Sequence, residues 1–365
     1  MTDLAPARLP CLAQHPLPVG SIATAPPESR GVARDGVRML VAETGRPLEH
    51  RRARDLPGVL RPGDLLVRNV SDTLPAALTG VTSDGEPVQI HLSTVLPGGS
   101  PALALTDTRS AWSVEFRVPE PPASRESARP RHGTVVELRG GGTLRVLDSY
   151  PSGRATSRLW TAELTTPQPL RRWLAEYGQP IRYSYVRGAW PLASYRTPYA
   201  EVPGSAEMPS AGRALTSRLV RRLQLRGIAV ADLVLHSGVS SGETGDPPYA
   251  EWFDVPAATA HAVGDTRGRG ARVIAVGTTV IRALESTTDG SRPQAGRGWT
   301  DLVVSPERQL TTVDGRLTGW HEPQASHLMM LQALAGTDLL CSSYDAALAA
   351  GYRWHEFGDL HLLLP

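Results

Sequence analysis

The feature that most constrains this chain is a change in the rhythm of its apolar residues near Gln168. From Ala77 to about Leu164 the apolar residues come in short runs, at 87–92, 112–118, 134–138 and 143–147, the last after the turn Gly140-Gly141-Gly142. Runs of that length, broken by turn residues, predict a small β-barrel or sandwich. After Gln168, helical spacings at 170–177, 213–225, 326–334 and 344–350 alternate with apolar strands at 230–235, 272–276 and 301–304. That alternation is the pattern of an α/β domain. Two earlier extended segments, 37–42 and 64–68, are joined through the turn Pro62-Gly63, and residues 1–36, rich in Pro, Ala and Arg, read as an irregular lead-in. The stretch 119–131 is dense in Pro, Ser, Arg and Glu and is expected to be a loop.

Composition narrows the chemistry. With 365 residues, 41% apolar and 20% charged, the chain can bury a full core and divide into two domains. Its formal charge of +2 allows an RNA partner without implying one. There is no lysine anywhere, which excludes Walker A phosphate loops, pyridoxal Schiff bases and lysine nucleophiles. Cys11 and Cys341 lack metal-ligand or redox spacing and read as incidental thiols of a reducing compartment. No run approaches the roughly 20 apolar residues of a membrane helix, so the expected location is the cytoplasm, away from the membrane.

The clearest local unit is Ala271-Arg272-Val273-Ile274-Ala275-Val276-Gly277-Thr278-Thr279-Val280-Ile281-Arg282, a buried strand turning into a helix. Thr278 or Thr279 can cap that helix, whose first amides attract an anion, and Arg282 can add a two-pronged contact. Read blandly, the same residues are a helix cap and a surface arginine. In the helix at 213–225, Leu215, Leu219 and Leu223 form an apolar stripe, while Arg218, Arg221 and Arg222 form a solvated face or an RNA contact.

Four further segments carry polar residues that interrupt the apolar pattern: 204–212, 235–242, 318–327 and 352–359. They hold His236, His321, His327, His355, Glu322, Glu356 and Asp359. Histidine with a neighbouring carboxylate suits proton removal, although each histidine alone also fits a structural role. No HExxH or paired-cysteine spacing supports a metal, and none is expected. Asn69, the chain's only asparagine, follows the strand at 64–68 and suits either a nucleoside edge or a turn.

In this order the segments resemble the S-adenosylmethionine:tRNA ribosyltransferase-isomerase family of queuosine biosynthesis. The resemblance rests on Gly63-Asp64-Leu65-Leu66-Val67 leading to Asn69, then Pro75-Ala76 and Leu78, and on Tyr199-Ala200. It continues through Gly204-Ser205, Pro209, Ala211-Gly212, Leu235-His236, Gly238 and Glu251. The unit at 273–286, Thr318 with His321 and Pro323, and Tyr352-Arg353 with Gly358-Asp359 complete it. The resemblance implies an α/β fold, with a barrel-like large domain and a small inserted all-β barrel. Residues 1–76 would begin the large domain, 77–164 form the insertion, and 165–365 complete the large domain with its active site.

It also implies transfer and isomerisation of the ribosyl part of S-adenosylmethionine onto an aminomethyl-deazaguanine in tRNA, with release of adenine and methionine. The sulfonium acidifies the C5′ protons, so a base suffices. His236 or His321 is the candidate base, and Glu251 or Glu322 the orienter or second acid-base group. Arg282 and Arg353 would hold the methionine carboxylate, with Asn69, Ser205, Pro209, Gly238, Gly277, Thr278, Thr279 and Asp359 completing the pocket.

Departures from the family pattern fall within these segments. Asp72 and Ala77 stand where arginines are usual, and Arg213-Ala214-Leu215 replaces Leu-His-Phe. Pro248-Tyr249-Ala250-Glu251 replaces Met-His-x-Glu, and Gly319-Trp320-His321-Glu322-Pro323-Gln324-Ala325 replaces Asn-Phe-His-Leu-Pro-Lys-Ser. Three readings therefore stand: the tRNA reaction; the same sulfonium chemistry on a small-molecule amine or as an adenine-eliminating lyase; and a non-catalytic binder of nucleoside or RNA.

Overall fold

The computed structural model describes residues 17–120, 123–126, 130–152, 157–239, 249–290, 292–321 and 327–365. Strands β1 (Arg38–Glu43) and β2 (Glu49–Arg52) form an antiparallel hairpin, and helix α1 (Leu56–Val59) leads to β3 (Leu65–Asn69) and β4 (Ser71–Thr73). Seven strands follow: β5 (Ala77–Thr82), β6 (Pro87–Val95), β7 (Arg109–Glu120), β8 (Ala123–Glu126), β9 (Val135–Leu138), β10 (Gly142–Tyr150) and β11 (Leu159–Thr165), with α2 (Pro101–Thr106) between β6 and β7.

Because β7 pairs with both β6 and β11, and β5 with both β6 and β9, these strands close on themselves and leave β8 as a flap on β7. Closure removes the unpaired edges that an open sheet of this size would expose. Along β10, Leu144 and Val146 turn inward while Arg145 stays exposed, and the buried Ile90, Leu92, Val114 and Ala162 fill the same interior. Trp173 from α3 (Leu170–Tyr177) is also part of this core, its indole donating to the Gly140 carbonyl at 3.0 Å.

The chain continues through β12 (Val202–Ser205), α4 (Ser217–Leu225), β13 (Ala229–Leu235), β14 (Glu251–Val255), α5 (Ala257–Gly268), β15 (Val273–Val276) and α6 (Thr278–Ser286). A small ribbon of β16 (Thr288–Asp289) and β17 (Arg292–Pro293) comes next. Then follow β18 (Gly296–Thr300), β19 (Gly315–Gly319), the helical stretch α7 (His327–Ala349) and β20 (Leu360–Leu364). Nine strands make one mixed sheet in the order β18-β14-β13-β3-β15-β19-β20-β1-β2. Its centre, β13, β3, β15 and β19, is parallel. All four residues of β15 are buried, which is why this strand is a continuous apolar run without alternation. The protein is thus an α/β molecule with a closed all-β barrel inserted before α3.

Five expectations are corrected. The segment 119–131 contains the end of β7 and all of β8, paired from Arg117↔Glu126 to Glu120↔Ala123, because ladder hydrogen bonds need backbone and not apolar side chains. The apolar segment 301–304 is not a strand: Leu302 spends its carbonyl on Arg282 Nε at 3.0 Å, and Val304 is buried without joining the sheet ladder. The helix expected from 213 starts at Ser217, where the Thr216 hydroxyl accepts from the Leu219 amide at 3.2 Å and caps it. The helices expected at 326–334 and 344–350 form one stretch, interrupted at Gly336 (φ 71°, ψ 171°). Cys341 is disulfide-bonded and not a free thiol, while Cys11 lies outside the described residues. Among the described residues no helix is long and apolar enough to cross a membrane.

Candidate active site

A cavity of about 500 Å³ opens where the parallel strands end, bounded by Ser237 after β13, Gly277 after β15 and Gly319 at the end of β19. Ligands collect at this edge of α/β sheets because strand ends and helix starts leave backbone groups unpaired. The inserted barrel supplies one wall through Ser93 and Thr94 of β6, and the segments holding Tyr183, Glu207 and His355 supply others.

The turn from β15 into α6 depends on Gly277, whose φ of 86° and ψ of 168° suit only a residue without Cβ. The expected cap from Thr278 or Thr279 is absent; Gly277 itself takes the N-cap position without a side-chain hydrogen bond. The first-turn amides of α6 therefore start at the cavity wall, where Gly277, Thr278 and Thr279 all lie.

His321 faces the cavity, with Nε2 at 2.9 Å from the Thr318 hydroxyl. Thr318 Oγ1 also accepts from Arg316 Nη2 at 2.9 Å. Glu251, Arg282, Pro209 and Gly238 line the same space. Glu251 pairs with Arg282 Nη1 and accepts from the Gly238 amide at 2.8 Å.

Of the other candidates, Asn69, His236, Ser205 and Asp359 do not reach the cavity wall, and each has an internal reason for being polar. Asn69 is buried. Its amide oxygen accepts from Ser71 and Leu235 main chain (both 3.0 Å), and its nitrogen donates to the Leu235 carbonyl (2.7 Å) and Thr279 hydroxyl (3.3 Å). A nucleoside edge would have to break that lattice. His236 stands one layer behind the wall, its Nδ1 at 2.7 Å from Ser71 Oγ and its ring stacked on Trp252 at 5.2 Å. Burial pulls its pKa down to about 4, so the ring is neutral near pH 7. Ser205 is equally internal, sharing a 2.6 Å hydrogen bond with Ser71 and accepting from the Ser237 amide at 2.9 Å.

Arg282 lines the cavity but is committed: besides Glu251 it donates to the carbonyls of Leu302 and Thr300, both at 3.0 Å. It is not free to grip a ligand carboxylate. Asp359 lies elsewhere, accepting from the Arg38 and Arg353 amides at 2.9 Å each, so it ties β1 to the turn before β20. Arg353 does not line the cavity either. Glu322 lies outside the described residues.

Close packing holds His236 in place. A Cβ on Gly204 would come within 2.5 Å of its ring. Gly204→Ala should therefore cost about 1–3 kcal/mol by overpacking, read as a lowered urea midpoint with an unchanged slope.

At the cavity the structure joins His355 and Glu356, already singled out in their sequence segment, with Tyr183, Tyr185, Glu207 and Arg316, which were not. Tyr185 donates to Glu356 at 2.5 Å and stacks on His355 at 4.3 Å. His355 has φ of 70°, unusual for a residue with a side chain. Tyr183 donates to Glu207, and Arg316, fully buried, reaches the cavity from β19. The available signal was the period of two in β19, which puts Arg316 and Thr318 on one face. Among the described residues no group of three or more His, Cys, Asp or Glu is placed to hold a metal ion.

Fold and cavity together define an α/β enzyme whose ligand chamber is shared between a mixed sheet and an inserted barrel. A family model described as queuosine biosynthesis protein matches residues 13–363, and the chain belongs to that family. It is 35% identical to the S-adenosylmethionine:tRNA ribosyltransferase-isomerase of Sorangium cellulosum, over 96% of this chain and 97% of that one. With the protein of the same name from Acaryochloris marina it shares 34% identity over 92% and 89% of the two chains. The crystal structure of S-adenosylmethionine tRNA ribosyltransferase from Thermotoga maritima superposes with a TM-score of 0.51 at 28% identity, covering 96% of this chain and 99% of that one.

Proposed function

We propose that this enzyme moves the ribosyl part of S-adenosylmethionine onto an amine of tRNA, isomerises it, and releases adenine and methionine in the cytoplasm. The observation that carries the reading is His321, held by Thr318 at the mouth of the strand ends in a chamber large enough for a nucleoside joined to an amino acid. The names of its relatives point to the same donor and acceptor.

In this reading His321 is the base. Its hydrogen bond with Thr318 Oγ1 fixes the ring's orientation, and as the base it takes a C5′ proton from the carbon beside the sulfonium. Glu356 is the proton donor: burial raises its carboxyl above the usual range, so it holds its proton to higher pH than an exposed glutamate. Its proton would go to the departing adenine. Glu251, held by Arg282 and the Gly238 amide, positions the wall. The amides at Thr278 and Thr279 bind electronegative atoms of the donor.

One observation keeps a second acceptor in view. Asp72, in place of a usual arginine, pairs with Arg196 at 2.7 Å, which neutralises a cation available to a phosphate. The test is to incubate the protein with S-adenosylmethionine, with and without tRNA bearing the aminomethyl-deazaguanine, and to follow adenine. Release that requires the tRNA is the expected result. Release without it would replace the tRNA reading by a small-molecule transferase or lyase, and binding without release would leave a nucleoside binder.

A further inference from the structure

Among the described residues, Arg316 is the guanidinium at the cavity left largely unanswered. It sits on β19 with 0% exposure, yet it contributes to the cavity wall. Nη2 donates to Thr318 at 2.9 Å, but Nε and Nη1 meet no hydrogen-bond partner and no carboxylate pairs with it among the described residues. Burial pulls its pKa down to about 9, which still leaves it charged at neutral pH.

An uncompensated buried charge is costly, and arginine's fixed fork is shaped to receive two oxygens at once. Arg282, by contrast, has spent its donors on Glu251 and two carbonyls. The start of α6 lies beside Arg316: Ala275 pairs with Arg316 across the ladder, and the Gly277 amide donates to the Leu317 carbonyl at 2.9 Å. A guanidinium with open donors and a helix start with free amides thus border one chamber, and both favour an anion.

We infer that Arg316 is the carboxylate-binding residue of this enzyme, receiving the α-carboxylate of the methionine portion of the sulfonium donor. The inference rests on the proposed donor, whose only anionic group is that carboxylate. RNA phosphates are an unsuitable occupant, since a fully buried guanidinium cannot meet a polynucleotide backbone without opening the sheet. With the carboxylate fixed at β19, the sulfonium and its C5′ carbon extend toward His321, three residues from the Thr318 hydroxyl that Arg316 itself holds.

The test is titration calorimetry with two ligands, S-adenosylmethionine and its decarboxylated analogue, on the wild-type protein and on Arg316→Met. The wild type should bind the intact donor about 10- to 100-fold more tightly than the analogue, the range for a charge-assisted contact. Arg316→Met should bind both ligands equally, at the analogue's weaker level. It should unfold at no lower a urea midpoint, because an apolar side chain replaces an unpaired buried charge.

Equal binding of the two ligands by the wild type would overturn the assignment while leaving the donor in place; that is the result if Arg316 is answered by a carboxylate of the chain, such as Glu322. A variant that still prefers the carboxylate would overturn it as well. Absence of any S-adenosylmethionine binding by the wild type would instead defeat the proposed function on which the inference rests. If Arg316→Met does not fold, Arg316→Gln, which keeps a polar side chain without the charge, takes its place in the same comparison.

Discussion

Replacing His321 by glutamine should slow adenine release from S-adenosylmethionine by about 10²–10⁴-fold, the range for a positioned proton-transfer group. Glutamine keeps a polar atom near Thr318 Oγ1 and approximates the imidazole's bulk, so donor affinity should be largely retained and the loss should fall on kcat. Single-turnover release with measured donor binding separates the two effects. A rate within about threefold of wild type would remove His321 from the role of base. The same substitution at His236 is a useful contrast. That ring lies behind the wall and carries a pKa of about 4, so its loss should appear first in stability.

The second large effect is expected at the Arg282–Glu251 pair. Their side chains are 8% and 14% exposed, so screening by water is weak and the partners depend on each other. Arg282→Met would strand the Glu251 carboxylate and also free the carbonyls of Leu302 and Thr300, which hold residues 300–302 against α6. Loss of one partner of a buried pair costs about 3–5 kcal/mol, measurable by urea unfolding. Adding Glu251→Gln should restore part of that loss, since it removes the stranded charge. A loss below about 1 kcal/mol would place the pair with ordinary surface bridges.

What could be read from the sequence divides along a physical line. The β15–α6 unit was legible because a four-residue apolar run followed by Gly277 admits few conformations, and α3 was legible from its spacing. Residues 301–304 misled because burial of apolar side chains does not require a ladder, and 119–131 misled because a ladder does not require apolar side chains. For the cavity, Thr318 and His321 were visible as polar residues three apart. Asn69, His236, Ser205 and Asp359 carried the same signature for another reason: each satisfies buried main chain or a neighbouring side chain, which residue type alone cannot distinguish from ligand contact. Arg316 was missed because an arginine within a strand normally faces water, and its burial depends on β20 and α7, far along the chain.

The barrel's contribution to the cavity wall has a consequence for how the molecule can vary. Ser93 of β6 accepts from the Val239 amide at 3.1 Å and leaves no room for a side chain at Gly238. The hairpin of the insertion and the loop after β13 are therefore one seam. A substitution that swells or tilts the barrel by a fraction of an ångström should therefore shift the rim of the cavity without touching any residue that lines the sheet's side of it.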